Sequence, residues 1–303
     1  MRSGPLLLLA VGLAATSCSS PQEPHGSPVL LSVYWITAGQ KEQIWTVSDT
    51  DTVVAPAAGQ EIDFVFDRLL DGSRIEDTVT QNGVETTMPK ATPPVTVSWP
   101  DEATAMSTPP FSDSVLYNSE PFYGAATAYL LLRPTTAGFP SSDTVTFALD
   151  KTGLTSAYGD QMLGPSQISV TTAPFSASFR LPSGADGAAT VPSSYMLPVV
   201  FSNRAGATGA LEPFVHVAAN GVLLPVALAP DANDPTVVYL SPASCLGGWP
   251  IGVPIEVTMA AGAPDAFGVA MAADATTTFV GSGPAPTAPD GGCPAAASDG
   301  GTD

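Results

Sequence analysis

The sequence predicts an all-β protein made of two successive β-sandwiches, and three observations lead there. Short runs of alternating or continuously apolar residues recur along the chain, each bounded by Gly, Pro, Asp or Ser. The 31 prolines are scattered throughout, so few windows could sustain three helical turns. Many short strands separated by frequent turn residues are the raw material of sandwiches.

Taken in order, the chain opens with a segment of a different kind. Arg2 precedes the apolar run Leu6–Ala15, and the small residues Thr16, Ser17 and Cys18 follow it. This is the layout of a secretory signal peptide over residues 1–17. The run is too short to span a bilayer, which takes roughly 20 apolar residues. Residues 18–27 are polar and proline-rich and read as a flexible tether.

Strands are expected at Val29–Ile36, Glu61–Phe66, Val95–Trp99, Ala128–Arg133, Thr144–Leu149 and Gln167–Thr172. In Thr144–Leu149, Val145, Phe147 and Leu149 share one face and Thr144, Thr146 and Ala148 the other. A second series is expected at Ser176–Leu181, Tyr195–Phe201, Phe214–Val217, Val222–Leu228, Thr236–Leu240, Pro254–Met259 and Thr276–Phe279. The junction near Thr172–Phe175 separates the series, giving a first domain over 28–173, with an insertion at about 81–123, and a second over 174–280. Residues 281–303 lack Leu, Ile, Val, Met and aromatic side chains and are expected to be disordered.

Composition narrows the function. The chain carries 9 Lys and Arg against 28 Asp and Glu, a balance that repels phosphate backbones and argues against nucleic-acid binding. Only 12% of residues are charged, about half the usual share, so Thr, Ser and Asn carry much of the solvated surface.

The stretch Ala15-Thr16-Ser17-Cys18 resembles the lipobox of bacterial lipoproteins. The resemblance implies cleavage before Cys18, diacylglycerol on its thiol and palmitate-type acylation of the new amino group. Two or three acyl chains anchor stably where one is marginal. Family members usually carry Leu where this chain has Ala15. Ser19 is not the Asp that resembles an inner-membrane retention signal, so the expected location is the cell envelope, with the outer membrane favoured. With Cys18 acylated, Cys245 and Cys293 are left to pair or to remain thiols in an oxidising compartment.

The two halves also resemble tandem bacterial Ig-like modules of the S-layer and envelope type. In the first, Ala57–Arg68 matches the turn and strand ending in a Phe-Ser-like pair, Leu132–Phe147 the closing region, Ala157–Leu163 the Asp-x-x-Gly-like turn, and Ser169–Thr172 the last strand. In the second, Gly187–Ser202, Thr236–Thr258, Asp265–Met271 and Thr276–Phe279 match in the same order. The usual Tyr of the closing strand is Val145 in the first half. The resemblance implies an adhesive, spacing or scaffold role without chemistry, working on an envelope protein or glycan partner.

Groups that could catalyse are scarce. The histidines are His25, in the tether, and His216, in a strand-like run, so no Ser-His-Asp or Cys-His arrangement assembles. No elbow around a nucleophilic serine and no phosphate loop is present. No cofactor is expected, and a closed zinc site lacks ligands. Asp231, Asn233 and Asp234 form the best cluster of hard oxygens for calcium, a pattern that also suits an Asx turn. Trp99, Phe111, Tyr117, Phe122 and Tyr123 concentrate aromatic area in the first half, and an aromatic loop there is the basis of an alternative carbohydrate-binding role. A hydrolase with paired carboxylates is a third reading.

Overall fold

The computed structural model describes residues 26–37, 40–47, 54–55, 61–81, 83–90, 93–100, 111–120, 127–134, 138–182 and 189–284. The protein is all-β. Its first eleven strands are β1 (Leu30–Thr37), β2 (Gln40–Thr46), β3 (Val54–Ala55), β4 (Glu61–Phe66), β5 (Glu76–Gln81), β6 (Val84–Pro89), β7 (Val95–Ser98), β8 (Phe111–Glu120), β9 (Thr127–Pro134), β10 (Thr144–Leu149) and β11 (Gln167–Thr172). A single helical turn, α1 (Gly72–Ile75), is capped by the Asp71 carboxylate, which accepts from the Ser73 amide.

A five-stranded sheet in the order β2-β1-β4-β9-β8 faces a four-stranded sheet in the order β3-β11-β10-β7, with β5–β6 as a separate hairpin. Alternation puts Val145, Phe147 and Leu149 of β10 in the core while Thr144 and Ala148 stay exposed. Phe147 bridges the sheets. Its ring meets Phe64 of β4 at 5.6 Å and Trp35 of β1 at 6.3 Å, both edge-on, the geometry that aromatic quadrupoles favour.

The next strands are β12 (Ala177–Phe179), β13 (Ala189–Pro192), β14 (Leu197–Phe201), β15 (Val215–Ala219), β16 (Val222–Leu223), β17 (Val226–Pro230), β18 (Val237–Pro242), β19 (Pro254–Met259) and β20 (Ala275–Ser282), with a helical turn α2 (Thr208–Leu211). They form a four-stranded sheet β12-β14-β18-β17 and a five-stranded sheet β13-β20-β19-β15-β16 around a second apolar core.

The strand plan is used twice. β1-β4-β9-β8 corresponds, in chain order, to β12-β14-β18-β17, and β3-β11-β10-β7 to β13-β20-β19-β15. In each copy one short strand runs parallel to the last: β3 to β11 and β13 to β20. The turn before the last strand repeats bond for bond. The Ser156 amide donates to the Asp160 carbonyl as Asp265 does to Val269, both at 2.9 Å. The glycines that follow, Gly159 and Gly268, adopt φ of 85° and 87°, which only glycine takes without strain.

Several expectations change here. The stretch at about 81–123, an insertion on the sequence reading, supplies β7 to one sheet and β8 to the other. Val222–Leu228, one strand on that reading, divides into β16 and β17 in different sheets, because Pro225 has no amide to continue a ladder. The last strand runs to Ser282, two residues into the expected tail. The signal segment, most of the tether and residues 285–303 lie outside the described residues.

A buried polar joint ties the two sheet pairs. Asn203, after β14, donates from Nδ2 to the Phe139 carbonyl at 2.8 Å, to Ser141 Oγ at 3.0 Å and to Asp265 Oδ2 at 3.1 Å. Asp265 also accepts from the amides of Ser141, Phe267 and Val269. Asn203 and Asp265 are 0% and 2% exposed, so these bonds are made away from water. Beside them Phe267 lies edge-on to Trp99 at 6.3 Å. Asp265→Ala removes the acceptor shared by four N–H donors, and urea denaturation is expected to show a loss on the order of 3 kcal/mol.

Candidate functional site

The sequence-derived candidates do not gather into one site. Trp99 follows β7 and is 5% exposed, with its ring on Phe139 at 5.5 Å. It is therefore a core residue, not a contact residue, because it continues the alternation of Val95 and Val97 into the inter-sheet space. Phe111 and Tyr117 lie on β8, next to β9 at the edge of the five-stranded sheet. Phe122 and Tyr123 lie outside the described residues, as do Cys18 and Cys293. Cys245 sits in a turn of 3₁₀ helix, Ser244–Leu246, and is disulfide-bonded. His216 is exposed on β15, opposite Thr258 of β19.

Asp231, Asn233 and Asp234 form an Asx turn between β17 and β18. Asp231 Oδ1 accepts from the amides of Asn233 at 2.7 Å and Asp234 at 3.1 Å, and Oδ2 from the Tyr239 hydroxyl at 2.8 Å. Asp234 Oδ1 accepts from the Thr236 amide and hydroxyl. Donors thus converge where a calcium ion would require bare oxygens, and the cluster serves the turn. Among the described residues no three His, Cys, Asp or Glu side chains come together as a metal site.

The Asn233 amide, then the Tyr239 hydroxyl and Asp234 amide, hold the Asp231 carboxyl below the ordinary Asp value, and the same bond raises the Tyr239 hydroxyl.

A second charged group lies on the outer face of the first five-stranded sheet. Lys41 of β2 pairs with Asp63 of β4 at 3.4 Å, and Arg133 of β9 with Glu61 of β4 at 3.2 Å. Burial, and then the neighbouring Asp63, push the Glu61 carboxyl up, against the pull of Arg133. Asp63 is buried although it faces away from the core, so this face is covered as well. The pairs tie three strands together across one face.

A polar cleft of about 430 Å³ lies at the end of the first sheet pair away from the joint, lined by Ser73, Arg74, Lys90, Pro94, Asp150, Thr152 and Gly153. Arg74 pairs with Asp71 at 3.7 Å and Lys90 with Asp77 at 2.5 Å. Hydrogen bonds from Thr152 hold the Asp150 carboxyl below its ordinary value.

No protein-family model matches the chain, and no curated protein matches it.

The Asp231 turn gives a pH test. Carbon NMR titration is expected to show Asp231 ionising below the ordinary Asp range, with Tyr239→Phe moving its midpoint upward. The turn's stabilisation is present above the unfolded Asp value and is lost as pH falls through the lowered one.

Proposed function

We propose that this protein is a lipid-anchored component of the bacterial cell envelope, acting as a non-enzymatic interaction or structural module of two Ig-like β-sandwich domains. The observation that carries the reading is Ala15-Thr16-Ser17-Cys18 directly after the Leu-rich run. The repeated strand order supports the tandem-module part, and two separate apolar cores, one drawn from Leu30–Val170 and one from Phe175–Phe279, support a boundary between them. Of the aromatic residues behind the glycan-binding alternative, Trp99 is buried, and Phe122 and Tyr123 lie outside the described residues.

The ends of the molecule support one partner for Cys245. The joint lies where β10 begins and β19 ends, so Pro28, bonded to Leu163 beyond the far end of β10, and Cys245, beyond the far end of β18, sit at opposite extremes. Two strands of six residues in series already span about 40 Å, whereas the ten residues from Cys18 to Pro28 reach at most ~36 Å. Cys293 is the partner this supports, which leaves the Cys18 thiol for acylation. Non-reducing peptide mapping is expected to recover a Cys245–Cys293 cross-linked peptide, and a Cys18–Cys245 peptide would refute the assignment.

The anchor is tested by intact mass of the protein extracted from membranes. Acyl mass on a chain beginning at Cys18, with Cys18→Ser released into the soluble fraction, is the expected result. An unacylated mature chain would remove the reading. Cross-linking in intact envelopes then separates an accessory subunit, which yields one dominant protein partner, from a spacer, which yields none.

A further inference from the structure

The end of the first sheet pair nearest the tether is built on the same plan as the face by which the second sheet pair docks. The turn Ser156–Asp160 repeats the turn Asp265–Val269, and Tyr158 stands where Phe267 stands. The entering chain repeats too: the Val29 amide donates to the Asp67 side chain as the Ser176 amide donates to that of Ser202, and Asp67 and Ser202 return the bond from their own amides. In the second copy this face is covered, with Phe267 packed against the first core and edge-on to Trp99. In the first copy Tyr158 is 45% exposed and Leu163 58%.

We propose that this face, with Tyr158 and Leu163 at its apolar centre and Arg74, Lys90 and Lys151 around them, seats on the phospholipid surface that holds the acylated Cys18. The proposal rests on the lipid-anchor reading.

Three features of the chain select the bilayer as occupant. The Leu163 amide donates to the Pro28 carbonyl at 2.8 Å, so the chain coming from Cys18 enters the fold on this face. Ten residues separate Cys18 from Pro28, a reach of at most ~36 Å, which keeps this end of the molecule next to the membrane. Four of the chain's nine basic residues, Arg68, Arg74, Lys90 and Lys151, lie at this end, among Asp67, Asp71, Glu76, Asp77, Asp150 and Asp160. A Tyr, an exposed Leu and long cationic side chains are also the residue types that sit well at the interface between headgroups and acyl chains.

The test uses the acylated full-length protein in vesicles of phosphatidylethanolamine and phosphatidylglycerol with brominated acyl chains. Leu163→Trp and Tyr158→Trp place a reporter on the face, and Val222→Trp, at the exposed β16 edge beyond the joint, is the control. All three positions are exposed, so the fold is retained. Quenching roughly twofold or more above the control is expected, with Arg74→Glu and Lys151→Glu in the Leu163→Trp background lowering it. Equal quenching at Leu163 and Val222 in a protein whose mass shows the acyl chains overturns the docking face and leaves the anchor standing. A Leu163 reporter shielded only as protein concentration rises, with or without vesicles, overturns it in favour of a second copy. Absence of acyl mass overturns the anchor and this proposal together.

Discussion

Phe139 holds the molecule together at the place where its two cores meet. The ring is packed edge-on against Trp35 at 5.1 Å, Trp99 at 5.5 Å and Phe147 at 6.1 Å, so it closes the end of the first core. Its carbonyl receives the Asn203 amide from the second sheet pair. One residue thus belongs to an apolar cluster through its side chain and to a buried polar network through its backbone. Two residues on, Ser141 contributes both its amide and its hydroxyl to the same network. Thr172 locks the 139–143 loop from the other side, donating to the Pro140 carbonyl and accepting from the Asp143 amide. Movement of the loop would strand several buried donors at once, a cost that keeps the two sheet pairs in one relation.

The two copies of the strand plan diverge where their roles diverge. Asp265 has a carboxylate where the first copy has Ser156, and only the longer, charged group caps its own turn and also reaches a neighbouring segment. Asn203 takes the place of Arg68: a short carboxamide fits a dry joint, whereas a guanidinium paired with Asp67 suits a wet end. Phe267 against Tyr158 follows the same logic, since a phenol can stay half in water and a phenyl ring gains by leaving it. The same strand order recurs in both copies, and a few side chains decide which face is buried.

Several of the few cations in the first half are paired with carboxylates of the same sheet or turn, and acidic residues outnumber basic ones in both halves.

Much of the strand pattern was legible from the chain alone. Glu61–Phe66, Thr144–Leu149, Gln167–Thr172 and Pro254–Met259 stand where their apolar periodicity places them, because one buried face forces that spacing. The repeated Gly159 and Gly268 turns were visible for a similar local reason: a positive φ demands glycine. Strands with polar or mixed sequences were not. β2, Gln40–Thr46, is largely polar because it is an edge, and the polar strands of the hairpin β5–β6 leave only the turn dipeptide Asn82-Gly83 as a signal in the sequence. The aromatic stretch misled because exposure is a property of the pairing partner: Trp99 looks like a contact residue in sequence and is a core residue once β7 lies beside β10. The sequence by itself determined the fold class, the turn chemistry and the lipobox-like segment, since each depends on neighbours a few residues apart. Tertiary structure alone decided the joint of Asn203, Asp265 and Ser141, which brings together groups more than sixty residues apart whose partners no local pattern records.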